Sequence, residues 1–125
     1  SDGLPGNASP WGTLTAFDTN GRQVRWQVPL GDYPGYTNRD WGAENIGSPL
    51  ATESGLVFMA GTPDMKIRAF DSDDGSILWE ADLPVAGYSA PITYSVKGKQ
   101  YLVIGAGGGA LGPPSGSEYI AFSLP

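Results

Sequence analysis

One short phrase occurs three times in this chain and limits its fold more than any other feature. Ala16-Phe17-Asp18 is followed, eight residues after the Asp, by Trp26; Ala69-Phe70-Asp71 is followed at the same interval by Trp79. A truncated third copy reads Ala121-Phe122-Ser123. Each full copy carries a glycine between Asp and Trp, Gly21 three residues after its Asp and Gly75 four after. A second landmark repeats as well. Gly47-Ser48-Pro49-Leu50 and Ser89-Ala90-Pro91-Ile92 each lead through a polar stretch into an apolar run, Leu56-Val57-Phe58-Met59-Ala60 and Tyr101-Leu102-Val103-Ile104. Such self-similarity marks a chain assembled from one repeated supersecondary unit.

The unit is made of strands. Glycine (19) and proline (11) fill 30 of the 125 residues, about twice their average share, and both are poor in helix interiors. Alternation and turn residues predict strands over about 13–17 and 24–28, joined across Asn20-Gly21, a strong hairpin signal. A loop over 31–46 follows, then strands near 48–53, 56–61, 66–70 and 77–81, and finally 90–95, 100–105 and 118–123. The grouping is two, four and three. Each four-strand set reads as one antiparallel blade, so the fold class is all-β, a partial β-propeller of about two and a quarter blades. The divisions fall at a half blade 11–30, a full blade 47–82 and a last blade 88–125 that lacks its outermost strand.

Charge and residue inventory exclude several functions. Seven basic residues stand against thirteen acidic, a net charge of −6, with no basic stripe to engage a phosphate backbone, so nucleic acid is not an expected partner. There is no His and no Cys, which removes Ser-His and Cys-His nucleophile pairs, thiolate zinc and disulfides. The longest apolar run is far short of the roughly 20 residues of a membrane span. No basic n-region with an apolar h-region opens the sequence, so any export signal is expected to have been removed or to lie elsewhere. A self-contained enzyme is not expected.

Within a blade the repeated tryptophan has a structural reason. A flat ring on the outer strand fills the gap to the neighbouring sheet, Ala leaves room for it, Asp bonds the amides of the next turn, and Gly takes the positive φ. Trp26 and Trp79 are therefore expected to be buried between sheets rather than to act as stacking platforms for a ligand.

Ala69-x-Asp71-x-x-Asp74-Gly75-x-x-x-Trp79 resembles the tryptophan-docking repeat of the quinoprotein dehydrogenases that use pyrroloquinoline quinone (PQQ). Pro10-Trp11-Gly12-Thr13-Leu14, Trp26-Gln27-Val28-Pro29-Leu30-Gly31, Gly98-Lys99-Gln100-Tyr101-Leu102-Val103-Ile104 and the ending Ser115 to Pro125 are similar to the same family, in its glucose-dehydrogenase-like branch and toward its C-terminus. The resemblance implies an eight-bladed propeller closed by an N-terminal strand. It also implies a periplasmic location, oxidation of CH–OH groups of an alcohol or sugar, and PQQ held over calcium. The base and metal ligands would lie upstream, so this chain alone is expected to be inactive and to bind no cofactor. Glu44-Asn45-Ile46-Gly47-Ser48-Pro49 matches the family segment beside the cofactor, with Ile46 in place of an aromatic and Ser48 in place of a glycine. It makes Asn45 and Gly47 the candidate cofactor-binding residues. A rival function is a non-enzymatic scaffold or binding module of the cell envelope. Unpaired sheet edges lead to the expectation of a homo-oligomer, or of the missing blades, as partner.

Three other patterns carry little. Gly105-x-Gly107-x-x-Ala110 has dinucleotide-fingerprint spacing, but Pro113 and Pro114 forbid the helix it needs, and a loop is expected. Asp71-Ser72-Asp73-Asp74-Gly75 lacks the glycine and glutamate positions of an EF-hand and reads as a solvated turn. Asp32, Asp40 and Glu44 sit near Tyr33, Tyr36 and Trp41, a grouping consistent with a sugar-binding patch or with aromatic cover of the sheet ends.

Overall fold

A computed structural model describes residues 4–20, 22–36, 40–108 and 115–124. These form nine strands and, among the described residues, no helix. The first sheet pairs β1 (Thr13–Phe17) with β2 (Val24–Pro29). The second runs β3 (Leu50–Ala51), β4 (Leu56–Met59), β5 (Lys66–Asp71) and β6 (Ile77–Asp82). The third runs β7 (Ile92–Val96), β8 (Lys99–Gly108) and β9 (Ser115–Ser123). Every pairing is antiparallel and joins neighbours in sequence, which is the meander of a propeller blade.

The sequence repeat reappears as a repeat of register. Ala16 stands opposite Trp26 and Ala69 opposite Trp79, and in both pairs the register shifts immediately after the alanine. Gly75 has a φ of +77°, the conformation its place in the repeat requires. Gly21 lies outside the described residues.

Alternation on the second sheet feeds two cores. Met59 and Phe70 turn toward the first sheet and join Leu14 and Leu30, with Trp26, Val28 and Val57 around them. Phe58, Ala60, Ile67 and Ala69 turn the other way and join Leu83, Leu102 and Ile104 of the third. A sheet covered on both faces buries its central strand outright, and Ile67, Arg68, Ala69 and Phe70 are all buried. Full burial of one such aliphatic or aromatic side chain stabilises by about 1.5–3 kcal/mol. Among the described residues the far face of the third sheet has no neighbour. Ile92, Tyr94, Val96 and Tyr119 are exposed on it, and Tyr94 stacks on Tyr101 with ring centroids 5.3 Å apart.

The structure corrects three sequence expectations. The inner strand expected over 48–53 is only Leu50–Ala51. Pro49 has no amide to donate, and Thr52 is drawn into a tight turn in which its N–H reaches Leu56 O at 2.9 Å. Gly107 and Gly108, beyond the strand expected over 100–105 and read as loop, belong to β8. Pairing with β9, Gly105 to Tyr119 and Gly108 to Ser115, overrides the weak strand preference of glycine. Residues 109–114 of that expected loop lie outside the described residues. The third correction concerns Trp79, which is 36% exposed, whereas Trp26 is half-buried.

Candidate functional site

Two segments meet at one end of the first two sheets: the connection from β2 to β3 (residues 31–49) and the β4–β5 turn (residues 60–65). Backbone hydrogen bonds join them, Ile46 N–H to Gly61 O at 3.0 Å, with Ala43 N–H to Leu30 O at 2.8 Å holding the middle of the connection. The approach is too close for side chains. A Cβ on Gly61 would stand 2.2 Å from Ile46 O, and Gly61 has a φ of +93°. Four rings gather on the outer part of the connection. Trp11 meets Trp41 edge-on at 5.4 Å and Tyr33 at 5.7 Å, and Tyr36 lies 6.0 Å from Trp41. The aromatics near Asp40 and Glu44 thus pack on one another and on Trp11.

The two residues singled out in sequence sit on this connection. Asn45 is half-buried, and its Nδ2–H donates to Ala43 O at 3.4 Å. Gly47 is exposed, yet a Cβ there would lie 2.9 Å from Ala60 O. The close approach Gly47 permits is therefore to the end of β4. Asp32, Asp40 and Glu44 are spread along the connection: Asp32 is half-buried, while Asp40 and Glu44 are exposed.

A charged cluster beneath the connection was not read from sequence. Asp64 and Arg68 form an ion pair with each side chain only 4% exposed. Arg68 Nη2 donates to Asp64 Oδ2, Arg68 Nη1 to Thr62 Oγ1 at 3.3 Å and to Asp64 Oδ1 at 3.4 Å, and Nε lies 3.3 Å from Glu80 Oε2. Thr62 Oγ1–H donates to Asp64 Oδ1 at 2.6 Å, and the Asp32 amide donates to Asp64 Oδ2 at 3.0 Å. No buried side-chain polar atom lacks a partner among the described residues, as a low-dielectric site requires. The signal was present: Arg68 stands between Ile67 and Ala69, and a guanidinium in a buried strand needs a carboxylate nearby. Asp64, four residues earlier in the β4–β5 turn, is that carboxylate.

Beside this cluster a groove of about 570 Å³ runs between β2 and β6, lined among others by Val28, Asp32, Asp40, Arg68, Phe70 and Glu80. A second, more apolar groove of about 570 Å³ lies between β6 and β9, against Leu78, Trp79, Phe122 and Leu124. The acidic turn 71–75 turns its carboxylates to its own backbone, Asp71 Oδ1 accepting from Asp73 N–H and Asp74 Oδ1 from Ser76 N–H, both at 2.8 Å. The Ser76 amide holds Asp74 below its usual carboxylate pKa. No group of three potential metal-ligating residues occurs among the described residues.

The comparisons with known proteins agree with this architecture. The family model of the PQQ glucose/ethanol/alcohol dehydrogenase β-propeller domain matches residues 1–102. Over 98% of its length the chain is 44% identical to the probable quinate dehydrogenase (quinone) of Xanthomonas campestris pv. juglandis, and 35% identical to the quinoprotein glucose dehydrogenase of Escherichia coli. It spans 17% of the length of each. The crystal structure of quinohemoprotein alcohol dehydrogenase from Comamonas testosteroni superposes on 98% of the chain with a TM-score of 0.71 at 26% identity, over 18% of that protein. The chain belongs to the PQQ dehydrogenase β-propeller family. Its three sheets correspond to a small part of such a propeller.

Proposed function

We propose that within a longer PQQ-dependent dehydrogenase these sheets serve as propeller scaffold, and that the 31–49 connection forms one edge of the quinone site. The observation that supports this is the stapling of that connection to the 60–65 turn, which presents Asn45 at one end of the sheets on a fixed backbone. Among the described residues Asn45 has amide and carbonyl capacity beyond its bond to Ala43, suited to a quinone carboxylate or carbonyl. The residues present fit an edge and not a whole site. PQQ carries several carboxylates, and among the described residues the cations at this end, Lys66 and Arg68, are already held by Asp82, Asp64 and Glu80. The quinone, when bound, accepts the electrons removed from an alcohol or sugar. The part of this chain is to bind and orient. Base and calcium ligands are assigned to residues outside it, the chain alone is inactive, and the setting is periplasmic.

Equilibrium dialysis with PQQ and Ca²⁺ tests the reading. The 125-residue chain is expected to show no micromolar binding. In a polypeptide of the relatives' full length, Asn45→Ala is expected to weaken PQQ binding about tenfold, the worth of one hydrogen bond to a charged acceptor. Unchanged affinity in that variant removes the 31–49 connection from the site.

A further inference from the structure

The connection between β2 and β3 is fastened at both ends, by different means. Its far end is held by backbone alone, Ile46 N–H on Gly61 O, an arrangement that any sequence tolerating the close approach would keep. At its near end a side chain takes part. Gly31 sits so tightly over Thr62 that a Cβ would fall 2.4 Å from the threonine Cγ2, and the next amide, that of Asp32, donates to Asp64 Oδ2. Asp64 takes these bonds because both of its oxygens are acceptors: Oδ1 receives Thr62 and Arg68 Nη1, while Oδ2 receives Arg68 Nη2 and the Asp32 amide. Arg68, fixed in turn by Glu80, leaves the carboxylate no freedom to rotate.

We infer that Asp64, oriented by Arg68, is the positioning residue of the 31–49 connection: it sets where the connection leaves the first sheet and hence where Asn45 stands at the sheet end. The bearing on a quinone rests on the reading above; the clamp itself does not. Chemistry makes the carboxylate necessary. An asparagine at 64 presents one acceptor oxygen and one NH₂ group, so one of its two faces must oppose donor to donor, Arg68 on one side or the Asp32 amide on the other.

Amide hydrogen exchange on the 125-residue chain tests the clamp. In Asp64→Asn the Asp32 and Ala43 amides are expected to exchange about tenfold faster, as a local opening that costs one hydrogen bond less. The indole signals of Trp11 and Trp41 are expected to shift, while the amides of Phe58 and Phe70 keep their protection. Asp82→Asn, which breaks the exposed pair with Lys66, is expected to leave the connection unchanged. Wild-type exchange at Asp32 and Ala43 in Asp64→Asn overturns the inference. So does an equal rise at Asp32, Phe58 and Phe70, which marks a general loss of stability instead of a positioning effect. If Asp64→Asn does not fold, Thr62→Val decides: faster exchange at Asp32 supports the clamp and an unchanged rate ends it. No quinone enters these measurements. A connection that moves in Asp64→Asn while Asn45→Ala leaves quinone affinity intact therefore keeps the clamp and removes the quinone edge.

Discussion

The seam between the first and second sheets and the seam between the second and third are built from the same repeat and end differently. At the first, Trp26 crosses to the neighbouring sheet. Its Nε1–H donates to Ser72 O at 2.9 Å, and its ring lies where a Cβ on Gly75 would come within 2.6 Å. The donor tryptophan comes from one copy of the repeat and the receiving turn from the next. At the second seam the Trp79 ring meets the edge of the Phe122 ring, with centroids 5.2 Å apart, and among the described residues its Nε1–H has no acceptor. The third copy, Ala121-Phe122-Ser123, has Ser where the other two have Asp. A docking motif is thus a relation between two repeats, and one copy supplies half of it. What holds the second seam is non-directional burial, Phe58 and Ile67 against Leu102 and Ile104.

The contrast has measurable consequences, largest first. Trp26→Ala is expected to lower stability in urea by about 3 kcal/mol and Trp79→Ala by about 1, since only the first ring is docked on the turn of the neighbouring sheet. Equal losses would show that docking adds nothing to burial. Gly75→Ala is expected to cost about 2 kcal/mol through the positive φ and the clash with Trp26. In a Trp26→Ala background most of the clash portion should vanish, a coupling that a double-mutant cycle measures. Trp26→Phe strands Ser72 O and is expected to cost about 1 kcal/mol beyond the lost area, whereas Trp79→Phe carries no such term.

The smallest effects lie at exposed charges away from both seams. The hydrogen bond from Lys66 Nζ to Asp82, with Asp82's charge adding to it, holds the lysine above its ordinary pKa. The stabilisation is therefore fully present below the unfolded lysine value and fades as pH rises through the folded one. Asp82→Asn should remove it, at a cost near about 0.5 kcal/mol in neutral solution, and should flatten the alkaline limb of a stability–pH curve. For Asp74, held below the usual carboxylate range by the Ser76 amide, the sign is opposite. Its contribution is present above the ordinary carboxylate pKa and is lost as pH falls through the folded value.

The register of the sheets was legible because Ala-Phe-Asp and Trp recur at a fixed spacing and strands have a period of two. The exposure of Trp79 was not, because burial belongs to the partner and the sequence of a residue does not name its neighbour. For the same reason Gly107 looked like loop, since its place in β8 depends on a strand that begins at Ser115. The Asp64–Arg68 pair was within reach of the sequence, as a charge inside an apolar strand. Its role in holding Asp32 was not, because an amide acceptor thirty-two residues away leaves no pattern.

The bare outer face of the third sheet bears on colloidal behaviour. Ile92, Tyr94, Val96 and Tyr119 face water beside the edge of β9, which pairs with no further strand among the described residues, the kind of surface on which chains adhere to one another. A net charge of −6 opposes that contact. The opposition is long-ranged and therefore screened within about 8 Å at physiological ionic strength, and it is removed as carboxylates protonate near pH ~4. Dispersion of this chain is thus set by the ionic medium as much as by its fold, and salting or acidification should drive it toward strand-to-strand association.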